Sequence, residues 1–560
     1  MKKYVKIIIS LVSIFVSLGC DRFDDMNKNP YNLQSTTSES FVQPTLYDME
    51  YTILRCSYRL LSELMQYTVN SNYEATAQLA YNYVVSETDT QYLWSLYKQF
   101  GNVQYMLSVA ETEDNPAMVG VALVLRSLIA QIITDTYGNV PYSKAGLIAI
   151  QGDEFEFITK YDDQKSIYID LIRSLERANS CFAKSEELVS SGVLSTNNFN
   201  SICDYMYGGD ADKWRRFGNA LYLRVLMRAS LKVIEEDGGL LDLGEEYGEI
   251  NIVSKINEIY QSFLSGSGAY PIMTGILGSA RVGFSSTDSA LYTPYHATTS
   301  SSWTGEVACD TFISLMNISY DAKKEDTCIF DPRLFRIFTY FNGVPTQLSR
   351  EEMEDAIENT DNLGTYTRGG YTKYGHIGNL KTGSSYALLN YDEILFNFAE
   401  AGARGWIQMG QKEYKDLYLK ANLESILQWQ IGWSEALDYY TATSLPVVNF
   451  INYLDNEFEY ENAVERILRQ KYVATCWVGI ESWADYRRTG YPVLKTNGFA
   501  ASNNCILPTR LRYPSTEAFQ NAKWYEAEVN GWLGGENNMQ TDMWWASTAE
   551  SQEIRRLGRK

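Results

Sequence analysis

Apolar side chains recur at intervals of three and four residues along much of this chain, and this spacing is what most limits the folds it can adopt. Such intervals place apolar side chains on one face of an α-helix. The clearest stripes run over residues 167–182, 214–229, 388–406 and 464–477. Residues 116–137 are apolar on more than one face, which predicts a helix buried on all sides. Alternating, strand-like patterns are few and short, so we predict a mainly α-helical fold.

Long stretches without any period separate these predicted helices. They cover residues 265–305, 360–385 and 488–550, and the first is rich in Gly, Ser and Thr but also carries large aromatic residues. Loops of this length in a compact domain are usually functional or disordered, and their aromatic content argues against disorder. No linker-like segment divides the chain. We therefore expect one helical domain over residues 41–560 with long irregular insertions.

Composition and the absence of motifs argue against several classes of function. The formal net charge of −21 disfavours nucleic-acid binding. His296 and His376 are the only His residues, which disfavours His-based catalysis and any multi-His metal site. The chain contains no P-loop, GxGxxG, GxSxG or HExxH motif. Asp210 and Asp212 begin like a calcium loop but lack the Gly and closing Glu of an EF-hand. We predict a binding protein without catalytic residues, metal or cofactor, although 69 acidic residues leave a glycosidase carboxylate pair open.

The N-terminus has the pattern of a lipoprotein signal peptide. Three Lys residues within the first six positions precede an apolar run over residues 7–18, which is shorter than the ~20 residues that span a bilayer. The run leads into Ser17-Leu18-Gly19-Cys20, which resembles a bacterial lipobox. We predict cleavage after residue 19, lipidation of Cys20 and a polar tether over residues 20–40. The alternative is an ordinary signal peptide with a chance Cys.

Three acidic residues after the lipobox support two opposite destinations. Asp21, Asp24 and Asp25 resemble the signal that exports surface lipoproteins of some Gram-negative anaerobes to the outer face. In enteric bacteria an Asp directly after the lipidated Cys instead indicates retention in the inner membrane. The N-terminal residues by themselves leave both destinations open.

Seven Cys residues remain besides Cys20, and none of them forms a CxxC pair. Cys181 and Cys476 stand in apolar stretches, whereas Cys309, Cys328 and Cys505 stand in predicted loops. Buried free thiols are the favoured interpretation of this arrangement.

Five segments, in order along the chain, resemble motifs of the SusD/RagB family. They are DTYGNVPY at 135–142, YDDQKSIY at 161–168, GDADKWRRFGNAL at 209–221, FAEA at 398–401, and WADYRRTGYP at 483–492 followed by PTRLRYP at 508–514. The resemblance implies a tetratricopeptide-like helical scaffold with long loop insertions. It implies a lipoprotein of the outer membrane that faces the exterior, which resolves the destination in favour of surface display.

The same resemblance implies a function and a partner. A family member captures a nutrient, typically an oligosaccharide, and delivers it to a SusC-like TonB-dependent outer-membrane transporter. A peptide ligand stays open, since the family is not restricted to glycans. A surface glycoside hydrolase and an adhesin are the competing interpretations from other classes.

The Arg-rich motifs invite the interpretation of an anion site. Arg487 and Arg488 stand beside Asp485, and a further group of Arg residues follows the stripe that begins at Trp214: Arg215, Arg216, Arg224 and Arg228. The family places these motifs in its scaffold, so we predict structural ion pairs. Trp214 is predicted to be a core residue, and Trp544 and Trp545 are predicted to pack within the scaffold.

For ligand contact we favour aromatic residues in the irregular stretches. Tyr73 lies in a polar segment near two Asn residues, and Tyr292, Tyr295 and Trp303 fall within 12 positions of each other. Flat rings can pack on the apolar C–H faces of sugars while nearby polar groups bond the hydroxyls. The alternative is that these rings cover loops or contact the transporter.

The anchor prediction can be tested by replacing Cys20. Cys20→Ser should release the protein from the membrane or leave its precursor uncleaved, because a lipid on Cys20 is the only attachment that the sequence predicts. Cell fractionation in a strain without the transporter measures this. A processed mutant that stays tightly membrane-bound would contradict the prediction.

Overall fold

A computed structural model describes residues 36–70, 80–152, 158–285, 288, 292, 306–319, 329–338, 340–364, 385–428, 441–476, 478–498 and 501–559. These residues form a mainly α-helical fold, as predicted. The longer helices are α1 (Val42–Cys56), α2 (Glu87–Trp94), α3 (Tyr97–Thr112), α4 (Pro116–Tyr137), α5 (Gln164–Ser190), α6 (Ala211–Asp237), α7 (Ile252–Ser265), α8 (Asp310–Met316), α9 (Arg350–Asn359), α10 (Tyr391–Ala403), α11 (Gln411–Gln428), α12 (Leu445–Asn456), α13 (Ala463–Ala474), α14 (Gly479–Thr489), α15 (Ala522–Asn530) and α16 (Ala549–Leu557).

Short elements connect these helices. Brief α-helical turns lie at Ser62–Leu64, Ile148–Gln151, Leu334–Ile337 and Glu517–Gln520, and a π-helical turn lies at Ser57–Leu61. Single 3₁₀ turns lie at Ser38–Phe41, Ala80–Asn82, Ser201–Cys203, Ile276–Gly278, Tyr460–Asn462, Asn503–Cys505 and Trp544–Ala546. Strands occur in the described residues only as antiparallel pairs: β1 (Thr68–Asn70) with β7 (Glu306–Ala308), β2 (Val140–Pro141) with β3 (Tyr161–Asp162), β4 (Leu240–Asp242) with β5 (Glu249–Asn251), and β6 (Ala280–Gly283) with β8 (Ser385–Leu389).

The long helices begin at side-chain caps that the sequence specifies. The Asp163 carboxylate accepts a hydrogen bond from the Ser166 amide at 2.9 Å at the start of α5. The Asp210 carboxylate accepts from the amides of Asp212 and Lys213 at the start of α6. Such caps satisfy amides that have no partner within the helix. The segment that begins like a calcium loop is therefore a helix N-terminus.

Helix α4 lies at the centre of the core, as its apolar sequence predicts. Among the described residues it is the one helix long and apolar enough to cross a membrane, yet 94% of its most apolar window is buried within the protein. It packs against α3, α5 and α6. A Cβ atom at Gly120 would lie only 2.7 Å from the Phe182 ring of α5, so this glycine permits the close approach of the two helices.

Buried ion pairs join α4, α6, α10 and α14. The Arg228 guanidinium donates to the carboxylates of Asp135 and Glu481. The Arg224 guanidinium lies one turn away on α6 and donates to both oxygens of Glu393, each at 2.7 Å. All five side chains are less than 6% exposed. The prediction that these arginines form structural ion pairs is confirmed.

A second buried group joins α10, α13 and α14. The Arg488 guanidinium donates to both oxygens of Glu400, at 2.8 and 2.7 Å, and to Asp485 at 3.0 Å. The Lys471 ammonium lies 2.6 Å from the other oxygen of Asp485. Burial raises the pKa of Glu400, but the charges of Arg488 and Arg404 outweigh burial and lower it to about 2. Glu400 is therefore ionised at neutral pH within the core.

Arg487 belongs to the scaffold, but the predicted ion pair is wrong at this position, because no carboxylate among the described residues pairs with it. Its guanidinium lies 3.6 Å from the centroid of the Trp483 ring and 4.9 Å from that of Trp545. It donates to the carbonyl oxygens of Asp135 and Thr509. Trp545 is fully buried and its indole N–H donates to the Asp135 carboxylate at 2.9 Å. The predicted scaffold role of Trp545 is confirmed.

Gly138 shows why the motif at 135–142 needs a glycine. Its φ of 88° is strained for other residues, and a Cβ atom there would lie 1.9 Å from the Trp532 ring. The Arg510 guanidinium also donates to the Tyr137 carbonyl at 3.1 Å. The C-terminal segment thus packs directly on the end of α4.

The described chain is packed from Ser38 onward, inside the stretch assigned to the tether. Ser38 is buried and its amide donates to Glu113 at 3.1 Å. Six Cys residues within the described part are free, as favoured from the sequence: Cys56, Cys181, Cys203, Cys309, Cys476 and Cys505. Cys20 and Cys328 lie outside the described residues.

Trp214 is fully buried, as predicted, and offers a test of the core. Its indole N–H donates to Asp204 at 2.8 Å, and its ring packs on Tyr207 and Phe217.

Trp214→Ala should lower the free energy of unfolding by about 3–5 kcal/mol, because it leaves a cavity. Denaturant unfolding measures the loss. Phe519→Ala is the control, since Phe519 is 85% exposed and should change stability by less than about 0.5 kcal/mol. Equal stability of both variants would contradict the prediction.

Candidate functional site

The β1/β7 ladder brings together two distant parts of the chain that carry predicted ligand residues. Asn70 pairs with Glu306, Val69 with Val307, and Thr68 with Ala308. The Cys309 amide also donates to the Tyr67 carbonyl at 3.0 Å and extends the pairing by one step. Asn70 and Glu306 therefore stand at the same end of one ladder.

A small apolar cluster fixes this ladder to neighbouring loops. It consists of Val69, Tyr81, Val307, Cys309, Val344 and Met353. Further segments of the same polypeptide lie beside β7. The Ala308 amide donates to the Gly364 carbonyl at 2.7 Å, and the Val344 amide donates to the Ala308 carbonyl at 3.0 Å. The ladder is thus held on both sides, and it gives the adjoining segments a fixed origin.

Tyr292 is the one predicted ligand residue that the structure describes. Its carbonyl oxygen accepts a hydrogen bond from the Tyr47 hydroxyl of α1 at 2.7 Å, and its side chain is half-buried. The other three predicted residues, Tyr73, Tyr295 and Trp303, lie outside the described residues. Their role as ligand contacts stays a prediction.

An aromatic group holds Tyr47 in place. The Tyr47 ring lies 5.5 Å from that of Phe284 and 6.0 Å from that of Tyr51, and Phe284 in turn lies 5.9 Å from Tyr386 of β8. Burial, followed by the nearby Tyr51 and acidic residues, raises the pKa of the Tyr47 hydroxyl, so it stays a donor at neutral pH. Sequence reasoning missed this group because no local pattern connects its members. Tyr47 and Tyr51 stand at the helical spacing that any core residue can have, and Tyr386 belongs to a short strand far along the chain.

A buried polar group lies beside these rings. The Arg281 guanidinium of β6 donates to Asn390 at 3.2 Å, and the Gln428 amide donates to Asp392 at 2.7 Å. Burial raises the pKa of Asp392 to about 7, and it raises that of Glu50 on α1 to about 8 although the charge of Arg281 lowers it. The two carboxyls are only 1–3% exposed, so they offer no open pair for glycoside hydrolysis.

Family models match both halves of the chain. Residues 30–239 match a model described as starch-binding and associating with the outer membrane. Residues 327–546 match a model described as the SusD and RagB outer membrane lipoprotein family. Together the two matches span more than half of the chain. No curated protein sequence matches it.

Solved structures share the fold over nearly the whole chain. A SusD homologue from Bacteroides fragilis is 20% identical and aligns over 91% of this chain and 100% of its own, with a TM-score of 0.68. A chitin-binding SusD homologue from Flavobacterium johnsoniae is 21% identical over 91% and 99%, with a TM-score of 0.64. Another chitin-binding protein is 20% identical over 91% and 99%, with a TM-score of 0.68. This chain therefore has the predicted tetratricopeptide-like helical fold of SusD homologues.

The buried carboxyl of Glu50 gives stability a specific pH dependence. Between about pH 4.5 and 8 the unfolded chain loses this proton while the folded chain keeps it, so the group destabilises the fold as the pH rises. Glu50→Gln removes this effect. Its unfolding free energy relative to wild type should therefore rise from pH 5 to pH 8, by up to about 1.4 kcal/mol per pH unit.

Guanidinium unfolding at pH 5, 6.5 and 8 measures this difference. Glu351→Gln on α9 is the matched control, because that carboxylate is exposed. A constant difference between Glu50→Gln and wild type over the three pH values would show that Glu50 is ionised in the folded protein.

Proposed function

The chain belongs to the SusD/RagB family of nutrient-binding outer-membrane lipoproteins, and from that premise we propose that it captures an oligosaccharide at the cell surface and delivers it to a SusC-like TonB-dependent transporter. The observation that carries the proposal is the pairing of Asn70 with Glu306. It gives two segments rich in aromatic and polar residues a common origin on a rigid helical body.

Chain connectivity supports a shared site for Tyr73 and Trp303. Each stands three residues from a paired ladder residue, Asn70 or Glu306. Three residues span at most about 11 Å, so chain connectivity allows both residues to contact one glycan. Two aromatic rings can then pack on successive sugar units.

Tyr292 supports the same arrangement from a second direction. Its carbonyl is bonded to Tyr47 of α1, so the chain around Tyr295 starts from an anchored residue. Loops held at fixed points on a helical scaffold are a common way to build recognition sites.

The ligand class follows from chemistry and from the matched proteins. The formal net charge of the chain is −21, which disfavours strongly anionic ligands. Aromatic rings suit the apolar faces of neutral sugars. Two matched structures are named as chitin-binding, and one family model is described as starch-binding. We therefore propose neutral oligosaccharides, with chitin and starch fragments as the first to test.

The proposed anchor completes the assignment. Residues 1–19 would be removed, Cys20 would carry the lipid, and residues 41–560 would form one binding domain on the exterior face. The packed body from Ser38 onward leaves a short polar segment between it and Cys20. A tether of this kind would let the domain move against a transporter in the same membrane.

Two experiments separate this function from its alternatives. Incubation of the purified protein with chitin and starch fragments should leave them intact, whereas cleavage would favour a glycosidase. Affinity purification from the native outer membrane should recover a TonB-dependent transporter, whereas its consistent absence would favour an adhesin.

Trp303→Ala tests the ligand site directly. If Trp303 stacks on a sugar, its removal should weaken binding several-fold or more, because an aromatic contact contributes on the order of 0.5–1.5 kcal/mol beyond its buried area. Titration calorimetry with the glycan that binds the wild-type chain measures the change. The melting temperature should stay nearly constant.

Trp524→Ala is the matched control, since Trp524 is a partly exposed tryptophan on α15. Unchanged glycan affinity in Trp303→Ala would remove that residue from the site. Unchanged affinity together with a weakened transporter complex would assign it to the protein interface.

A further inference from the structure

A cavity of about 100 Å³ opens between α8, α11, α12 and α13. Hydroxyl groups of its lining come from Ser314 of α8, Tyr418 of α11 and Tyr453 of α12. Its other polar groups come from Glu457 after α12 and from Arg466, Arg469 and Gln470 of α13. None of these residues belongs to the β1/β7 ladder or to the aromatic group around Tyr47. The cavity is therefore a separate feature of the molecule, and its interpretation does not rest on the proposed glycan uptake.

Two buried hydrogen-bond donors of this lining are not used within the protein. Tyr418 is 2% exposed, and its hydroxyl forms no hydrogen bond with any residue that the structure describes. Gln470 is 9% exposed, and its Oε1 accepts from the Arg333 guanidinium at 2.7 Å. This bond orients the amide, and its Nε2 donor has no acceptor within the described part of the chain. Both donors line the cavity, so a ligand or water inside it can accept from them.

Two arginines add positive charge at the same cavity. The Arg469 guanidinium has only a loose contact with Glu465, at 3.7 Å, and Arg466 lies 3.0 Å from the exposed Glu459. Burial raises the pKa of the Tyr418 hydroxyl, the charges of Arg333, Arg466 and Arg469 lower it, and that of Asp331 raises it. Arg333 is paired with Asp331 in the core, so Arg466 and Arg469 are the cations that line the cavity.

Glu457 is the one acidic group of the lining, and it is exposed, so solvent screens its charge. The Arg469 side chain is also 40% exposed, whereas Tyr418 and Gln470 are buried. The cavity therefore presents the donors of Tyr418 and Gln470 together with two arginines and one exposed carboxylate.

The apolar walls and the volume limit what can enter. Leu315, Leu454 and Phe458 complete the lining, and the Phe458 ring lies 5.0 Å from that of Tyr418. The cavity has room for several water molecules, and therefore for a small polar group such as a carboxylate.

We propose that this cavity binds a small carboxylate group, which enters with its oxygens toward Tyr418, Gln470 and Arg469. A carboxylate has only acceptors, and the Tyr418 hydroxyl, the Gln470 Nε2 and the Arg469 guanidinium can all donate to it. The carboxylate can belong to an acidic sugar or to a free carboxylic acid.

The test uses the purified full-length chain and ligand-observed NMR titration with sodium galacturonate, galactose and sodium acetate. Galacturonate and galactose differ only in a carboxylate against a hydroxymethyl group. Galacturonate should bind and galactose should not. Tyr418→Phe, which keeps the ring, and Arg469→Gln should each weaken binding about tenfold, since hydrogen bonds to charged groups are the stronger kind.

Arg350→Gln on α9 is the control, because it removes a 62% exposed arginine outside the cavity. Tighter binding of galacturonate than acetate would assign an acidic sugar, and equal binding would assign a free carboxylic acid. If Tyr418→Phe lowers the melting temperature strongly, Arg469→Gln alone decides. Equal affinity for galactose and galacturonate, no binding of either acid, or unchanged affinity in the variants would overturn the proposal.

Discussion

The buried contact of Arg228 with Asp135 and Glu481 is the interaction on which the rest of the scaffold depends. It connects residues 93 and 253 positions apart in the sequence, and so joins the early helices to α14. Taking these charges out of water is costly, and the cost is offset only while every partner is present. Loss of one partner from such a pair typically costs about 3–5 kcal/mol, because an unpaired charge stays buried.

This dependence explains why the ionic groups extend so far. Arg224 and Glu393 bring α10 into the same group, and Glu400 with Arg488 links α10 to α14 again. Apolar packing alone tolerates many helix arrangements of equal volume. Several bidentate arginine contacts are satisfied in only one arrangement, so they are well suited to set the relative positions of these helices.

A body held this firmly suits the proposed ligand site, because described residues next to that site in sequence are already fixed. The β1/β7 ladder holds Asn70 and Glu306 against a packed cluster, and the Tyr47 hydroxyl holds the Tyr292 carbonyl. Binding at the proposed site then loses less entropy in ordering these residues. The buried Glu50, one turn along α1 from Tyr47, and Asp392 have no part in the main ionic scaffold.

The sequence by itself determined the helical class, the buried position of α4 and the core role of Trp214. These properties are local, because apolar spacing on a helix face is decided within a few turns. The structural use of Arg224, Arg228 and Arg488 was predicted from the family resemblance of their motifs. The resemblance in the five motifs also identified the family, which the matched models bear out.

Only the tertiary structure decided which distant residues meet. Asn70 and Glu306 carry no periodic signal that links them, and neither do Tyr418 and Gln470 or Tyr47 and Tyr292. Such pairs form because the helices between them pack in one way, and single-residue patterns do not encode that packing. The residues predicted to contact ligand were chosen as aromatic residues in stretches without a helical period, and Tyr73, Tyr295 and Trp303 lie outside the described residues. The fixed positions of Asn70, Glu306 and the Tyr292 carbonyl are what the fold adds to that prediction.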